Sequence, residues 1–123
     1  MLKTLIVDDE PDAIKSLRLI CNEYCKEKVE IVGSAQLIED AAQIIKEKNP
    51  DLILLDIDLP RGNGFDLLDR FPKRDFTVIL VSAYFDMYKK RMRKYNIMAC
   101  VDKPVDIDEM SSLIDTLYKQ ESS

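Results

Sequence analysis

The chain has 123 residues, 33% of them charged and 46% hydrophobic, with a net charge of -5. These values suit one soluble globular domain spanning residues 1–123 and exclude a disordered chain; they leave no room for a second domain, and the acidic balance argues against nucleic acid as this domain's direct partner. Histidine is absent, and Cys21, Cys25 and Cys100 form no C-x-x-C pair, so the commonest metal ligand and general base is missing and neither a zinc site nor a disulfide framework is expected.

After Met1 the chain enters Leu2–Val7, the first predicted strand, with no signal peptide and, further on, no apolar run long enough for a membrane span. A reduced, cytoplasmic setting is therefore expected. The strand ends abruptly in Asp8-Asp9-Glu10. Over residues 12–26, Ile14, Leu17, Cys21, Tyr24 and Cys25 recur at helical spacing. Residues 29–32 predict a second strand closed by Gly33, and Ile38, Ala41, Ala42 and Ile45 a second helix that stops before Asn49-Pro50. Leu52–Leu55 is apolar without alternation, as in a strand covered on both faces. A loop with Pro60, Gly62 and Gly64 leads to a short helix carrying Phe65, Leu67, Leu68 and Phe71. Residues 78–81 predict the fourth strand, Phe85, Tyr88, Met92 and Tyr95 one face of a fourth helix, and residues 97–101 the fifth strand. Asp106 and Glu109 form a variant capping box ahead of a last helix lined by Met110, Leu113, Ile114 and Leu117, with a polar end at 120–123 that is free to fray. Strands alternating with helices, joined by right-handed crossovers, predict an α/β fold: a doubly wound five-stranded parallel sheet, order 2-1-3-4-5, with five helices, of flavodoxin-like type.

In such a sheet ligands sit beyond the carboxyl ends of the strands, where the order switches, here between the first and third strands. The third strand ends in Asp56, the fourth in Ser82 and the fifth in Asp102-Lys103-Pro104. Carboxylates, a hydroxyl and an ammonium, far apart in sequence, thus converge on one edge. Each has a plain reading alone: Asp8 and Asp9 as helix caps, Asp56 as a loop cap, Ser82 as a turn residue, Lys103 as a surface lysine. Those readings fail together, because every polar position falls at the same ends of strands. Carboxylates held this close raise one another's pKa unless a cation neutralises them. An all-oxygen site fits Mg²⁺ or Mn²⁺ and disfavours zinc.

At these residues the chain resembles, along essentially its whole length, the CheY-like receiver domain of two-component response regulators. The matching elements are D-D-E-P from Asp8, D-I-D-L-P-R-G-N-G from Asp56, S-A from Ser82 and K-P from Lys103. The 2-1-3-4-5 order is this family's own and so is not independent of the resemblance. The resemblance implies that Asp56 becomes an aspartyl phosphate by accepting a phosphoryl group from the phosphohistidine of a sensor histidine kinase. It implies that Asp9 and Asp56 hold Mg²⁺, with Asp8 acting directly or through water and the backbone carbonyl of Asp58 completing the protein ligands. Lys103 would pair with the phosphoryl oxygens, and Ser82 would hydrogen-bond one of them. Such a domain is not an enzyme in the usual sense, since it catalyses only its own phosphorylation and dephosphorylation. It needs no histidine base, because a carboxylate is already the nucleophile.

The resemblance also implies a switch, in which Ser82 moves toward the phosphoryl group and an aromatic residue three positions before the lysine turns inward. Here that position is Cys100, a departure from the pattern. Tyr84 or Tyr88 is expected to take over part of the role, and Tyr84 to shield the phosphoryl group from water. The run K-K-R-M-R-K over residues 89–94 reads either as a solvated basic face or as an output surface. In the second reading Arg91 and Arg93 pair with Asp106, Asp108, Glu109 or Asp115 of another copy, giving a homodimer through the fourth helix, fifth strand and fifth helix.

Three rivals compete. A haloacid-dehalogenase-type phosphohydrolase uses a D-x-D like Asp56-Ile57-Asp58, but places it on its first strand. A flavin-binding electron carrier of the same fold wants a hydroxyl- and glycine-rich phosphate loop where this chain has acids. A pseudo-receiver that only binds partners would not need the intact Asp9, Asp56, Ser82 and Lys103. Within the receiver family, residues 17–24, G-F-D-L-L-D and D-K-P-V-D-I-D-E-M resemble receivers that precede a LytTR-type DNA-binding domain. The chain is then either a stand-alone receiver or, the preferred expectation, the receiver of a longer transcription regulator.

Overall fold

The computed structural model describes residues 1–83 and 85–122, without the side chains of Phe85, Met87 and Ser122. In chain order its elements are β1 (Leu2–Val7), α1 (Pro11–Tyr24), β2 (Val29–Ala35), α2 (Ile38–Lys48), β3 (Leu52–Leu55), β4 (Asp58–Leu59), β5 (Gly62–Asn63), α3 (Gly64–Asp69), β6 (Thr77–Ser82), a 3₁₀ turn (Phe85–Tyr88), α4 (Lys89–Met92), β7 (Ala99–Asp102) and α5 (Ile107–Ser122). Five strands form one parallel sheet in the order β2-β1-β3-β6-β7. With the small β4–β5 hairpin set aside, this is the expected 2-1-3-4-5 order.

The strands lack hydrophobic alternation because successive residues feed two different cores. Leu5, Val7, Ile53, Leu55, Val78 and Leu80 face the layer of α2 and α3. Ile6, Leu52, Leu54, Ile79 and Val81 face the layer of α1 and α5, where Leu17, Ile20, Cys21, Met110, Ile114 and Leu117 cover them. Burying the sheet on both sides supplies the main stabilising term. It also leaves the carboxyl ends of β1, β3, β6 and β7 on one edge.

The observed elements differ from the sequence reading in several places. Gly33 does not close β2. The strand runs on to Ala35 through a register shift opposite Thr4 and Leu5, where Leu5 pairs with Gly33; a glycine inside a strand commonly marks such a bulge. Tyr24 is 56% exposed rather than part of the buried face of α1, and Ile20 takes its place. The fourth helix is one 3₁₀ turn followed by the single α turn Lys89–Met92, with no side-chain cap. Like charges at Lys89 and Arg93, and at Lys90 and Lys94, stand one turn apart and oppose a longer helix. Tyr88, Met92 and Tyr95 still pack on the α2–α3 core. At the end of the chain, α5 continues to Ser122 instead of fraying after residue 119. Its start is as expected: Asp106 Oδ1 accepts from the Glu109 backbone N–H at 3.0 Å.

Candidate functional site

The ends of β1, β3, β6 and β7 deliver the polar groups. After Val7, Asp8 continues the β1–β2 pairing through its N–H to Ala35 O, 3.0 Å. Its side chain is fully buried, and Oδ1 accepts from the Glu10 N–H at 3.0 Å, turning the chain into α1 with Pro11 in the first turn. Asp56 is tied to the end of β1 by its N–H to Val7 O, 2.8 Å. It is 4% exposed, and its Oδ1 accepts from the Asp58 N–H at 3.2 Å. Ser82 is the last residue of β6, fully buried and in register with Asp102. Its carbonyl accepts from the Lys103 N–H at 3.1 Å.

Lys103 then reaches back over the edge. Its Nζ lies 2.8 Å from Asp8 Oδ2, 3.4 Å from Asp56 Oδ2 and 3.5 Å from Glu10 Oε1. One ammonium is shared among three carboxylates. Among the described residues the buried Asp8 Oδ2 has the Lys103 ammonium as its charge partner and no other donor. Burial first and Asp8 second push the Asp56 carboxyl up to about 7, against the pull of Lys103 and the Asp58 N–H. Burial would lower the Lys103 pKa, but Asp8 first, then Asp56 and Glu10, outweigh it and hold the ammonium charged above its ordinary value.

Gly64 lets the loop after β3 close against this edge. A Cβ on Gly64 would stand 2.7 Å from the Asp56 carbonyl oxygen, and one on Gly62 2.6 Å from Asp66 Oδ2. Between them Asn63 and Asp66 form a reciprocal capping box at the start of α3.

The structure brings together Asp8, Glu10, Asp56 and Lys103. Asp9 is exposed at the mouth, and one carboxylate oxygen from each of Asp8, Asp9 and Glu10 lies within 4.8 Å of the others. A hard divalent cation fits this place: the donors are all oxygen, the acids lie close together, and among the described residues the buried Asp8 Oδ2 has no donor besides Lys103. Asp58 is exposed, and its side chain is engaged elsewhere, since Tyr88 Oη donates to its Oδ1 at 2.9 Å. Tyr84 lies outside the described residues. Cys100 pairs in register with Leu80 and packs, half-buried, on the α2–α3 core. Burial first, then Asp102, Glu109 and Asp86, push its thiol up to about 11.

The basic residues separate into two groups. The Arg91 guanidinium sits 4.7 Å from the centre of the Phe65 ring and so belongs to its own chain's packing. Arg93 is exposed and lines a shallow, mainly basic surface with Lys89, Lys90 and Asp86. Among the acids considered as their partners, Asp115 already pairs with Lys28 at 2.9 Å and Lys119 at 3.0 Å, and Asp106 caps α5. Asp108 and Glu109 remain exposed. Sequence reasoning placed Gly62 and Gly64 in a loop that turns tightly beside the site, but assigned no role to Glu10 or the Tyr88–Asp58 bond. The third acid of D-D-E was a visible signal for Glu10; the bond joins residues 30 positions apart and left no local signal.

The sequence model of the response regulator receiver domain matches residues 4–115. Among curated proteins, the chain is 32% identical over its full length to the sensory transduction protein LytT of Bacillus cereus and covers 50% of it. It is 28% identical to the transcriptional regulatory protein BtsR of Escherichia coli, over 99% of this chain and 50% of that protein. The chain thus spans about half the length of these relatives. Its fold is shared with the REC domain of AraT, a response regulator from Geobacillus stearothermophilus, at TM-score 0.86 and 20% identity, covering 99% of this chain and 98% of that one. It is shared also with the response regulatory domain of mrkE from Klebsiella pneumoniae, at TM-score 0.85 and 22% identity, covering 97% and 99%. Among the described residues no helix is long and apolar enough to cross a membrane.

Proposed function

Because the chain belongs to the family of response regulator receiver domains, we propose that it is the phosphoacceptor module of a two-component signalling protein, with Asp56 as the residue that takes the phosphoryl group. The observation that supports this reading most is the Lys103 ammonium shared among Asp8, Glu10 and Asp56 at the ends of three strands. An isolated surface lysine or a row of capping acids would not produce it.

Phosphoryl transfer passes through a loose, in-line transition state, so placement and charge neutralisation do most of the work. Asp56 Oδ1 is held by the Asp58 N–H, which leaves Oδ2, on the Lys103 side, as the attacking atom. The Asp56–phosphorus bond forms as the bond from phosphorus to the kinase imidazole nitrogen breaks, and that nitrogen leaves with the electron pair. Lys103 follows the charge onto the phosphoryl oxygens, and the Ser82 hydroxyl at the neighbouring strand end donates to one of them. Asp9, Asp56, the Asp58 carbonyl and Asp8 would hold Mg²⁺, which would supply the remaining positive charge. Asp58 does not serve as the second acid of a dehalogenase-type phosphohydrolase, because Tyr88 holds its carboxylate.

The phosphodonor is a sensor histidine kinase. A cavity of about 240 Å³ beside Lys103, lined by Ala13, Leu17, Ile20, Pro104 and Val105, offers its phosphorylated segment an apolar seat. The chain acts in the cytoplasm as the receiver half of a longer transcription regulator, in keeping with the names and lengths of its LytT and BtsR relatives. DNA is bound by the other half. The exposed basic surface of Lys89, Lys90 and Arg93 pairs with Asp108 and Glu109 of a second copy in the phosphorylated dimer.

The test is intact-mass spectrometry after incubation with acetyl phosphate, and separately with a phosphorylated histidine kinase domain. The expected result is one base-labile phosphoryl adduct that requires Mg²⁺ and is absent from Asp56→Asn. No adduct from either donor would overturn the reading in favour of a pseudo-receiver.

A further inference from the structure

The Asp58 carboxylate is not needed as a nucleophile or as an acid at Asp56, and it points out toward solvent. Yet Tyr88, 30 residues away in sequence, donates its hydroxyl to Asp58 Oδ1 at 2.9 Å. The tyrosine is not free to wander. Its ring is half-buried on the α2–α3 core, 5.9 Å from the Phe65 ring, and Phe65 is in turn covered by Tyr95 at 4.9 Å and by the Arg91 guanidinium at 4.7 Å. An apolar body fixed by packing directs a polar tip at one carboxylate.

Asp58 transmits that hold inward. Its backbone N–H donates to Asp56 Oδ1 at 3.2 Å, which fixes which oxygen faces Lys103. Two hydrogen bonds in series therefore run from Tyr88 through Asp58 to Asp56. The outer end of the series is the junction between the 3₁₀ turn and α4, where the basic run begins.

We infer that Tyr88 is a positioning residue for the phosphoacceptor, acting through Asp58, and that the same bond ties the segment over residues 85–94 to the state of Asp56. This rests on the reading of Asp56 as the phosphoacceptor. The geometry gives Tyr88 a role in this chain at a point where Cys100 has no ring to offer. A shift of the 56–58 backbone on phosphorylation moves or breaks the Tyr88–Asp58 bond, and the start of α4 carries the change to the surface.

The experiment compares Tyr88→Phe, Asp58→Ala and the Tyr88→Phe/Asp58→Ala double variant with the wild type. It measures the rate of adduct formation from acetyl phosphate with Mg²⁺, and the tyrosine ultraviolet difference spectrum on phosphorylation. Tyr88→Phe is expected to slow adduct formation about threefold to tenfold, the effect of one lost hydrogen bond. Asp58→Ala should slow it similarly, and the double variant no further, because both changes cut one link. Tyr88→Phe should lose most of the spectral change. A wild-type rate in Tyr88→Phe, or losses that multiply in the double variant, would overturn the inference while leaving the receiver reading in place. A wild type that accepts no phosphoryl group from acetyl phosphate or a phosphorylated kinase domain would instead remove that reading, and the inference with it.

Discussion

Asp56 is under two opposing demands. In the proposed reaction it has to be ionised to attack phosphorus, yet it is buried beside Asp8, and that setting holds its carboxyl up to about 7. A carboxyl whose pKa is raised by folding favours the fold in its protonated form. Its contribution is therefore complete below the ordinary carboxylate pKa and is lost as pH rises through about 7. Without divalent ions, the melting temperature should fall between about pH 4 and pH 8, Asp56→Asn should flatten the fall, and Mg²⁺ should offset it at the alkaline end. Calorimetry across that range, with and without chelator, checks all three. Lys103 has the complementary role. Replacing it by Met leaves Asp8 buried with no cation, and a loss of about 3–5 kcal/mol is expected in urea denaturation, together with loss of the phosphoryl adduct. The identity of these residues was legible in the sequence, because acids and a lysine end apolar runs. Their relative burial was not: Asp8 and Asp9 are neighbours of the same type, and only the fold sends one inward to Lys103 and the other to the mouth.

The elements show where sequence patterns speak plainly and where they do not. β3 and β6 were legible because strands covered on both faces must be apolar throughout, and Leu52–Leu55 has no polar position to misread. The loop after β3 was legible as a turn but not as a wall of the site. Gly64 matters there less for its flexibility than for its missing Cβ, which would stand 2.7 Å from the Asp56 carbonyl oxygen. Gly64→Ala should thus cost about 1–3 kcal/mol, the usual effect of overpacking against backbone that cannot yield. It should also slow phosphorylation, read by urea denaturation and by adduct kinetics on the same sample. The segment over residues 85–95 was the least legible. Its apolar spacing is helical, and three of its residues do pack as one face. Repulsion along Lys89–Met92 and beyond, together with an uncapped start, shortens the helix to a single turn. Pattern reading sees the face and misses the charge cost along the axis.

At the scale of the whole molecule, the sheet order brings residues 8, 56, 82 and 103 to one edge, and the two helical layers hold that edge rigid. The alternation of strands and helices made this convergence legible before any distance was known. Charge is unevenly spread as well. Eight of the 18 basic residues lie between Arg70 and Lys94 against two acids, so the rest of this acidic chain is strongly negative. Such a distribution favours pairing between unlike faces of two copies and weakens as salt rises. For the proposed phosphorylation-driven dimer, the Lys90→Glu/Arg93→Glu variant should lower the dimer fraction in sedimentation velocity while leaving adduct formation intact. Arg91 is left alone in that variant because it covers Phe65. The account as a whole depends on one chemical event at one atom. Its most direct test is to trap the acyl phosphate with borohydride after incubation with acetyl phosphate and Mg²⁺, then map the reduced residue by peptide mass spectrometry. Conversion of position 56 alone to homoserine, and only when Mg²⁺ is present, is the predicted result; reduction at Asp8, Asp9 or Asp58, or at no residue while the adduct persists, would contradict it.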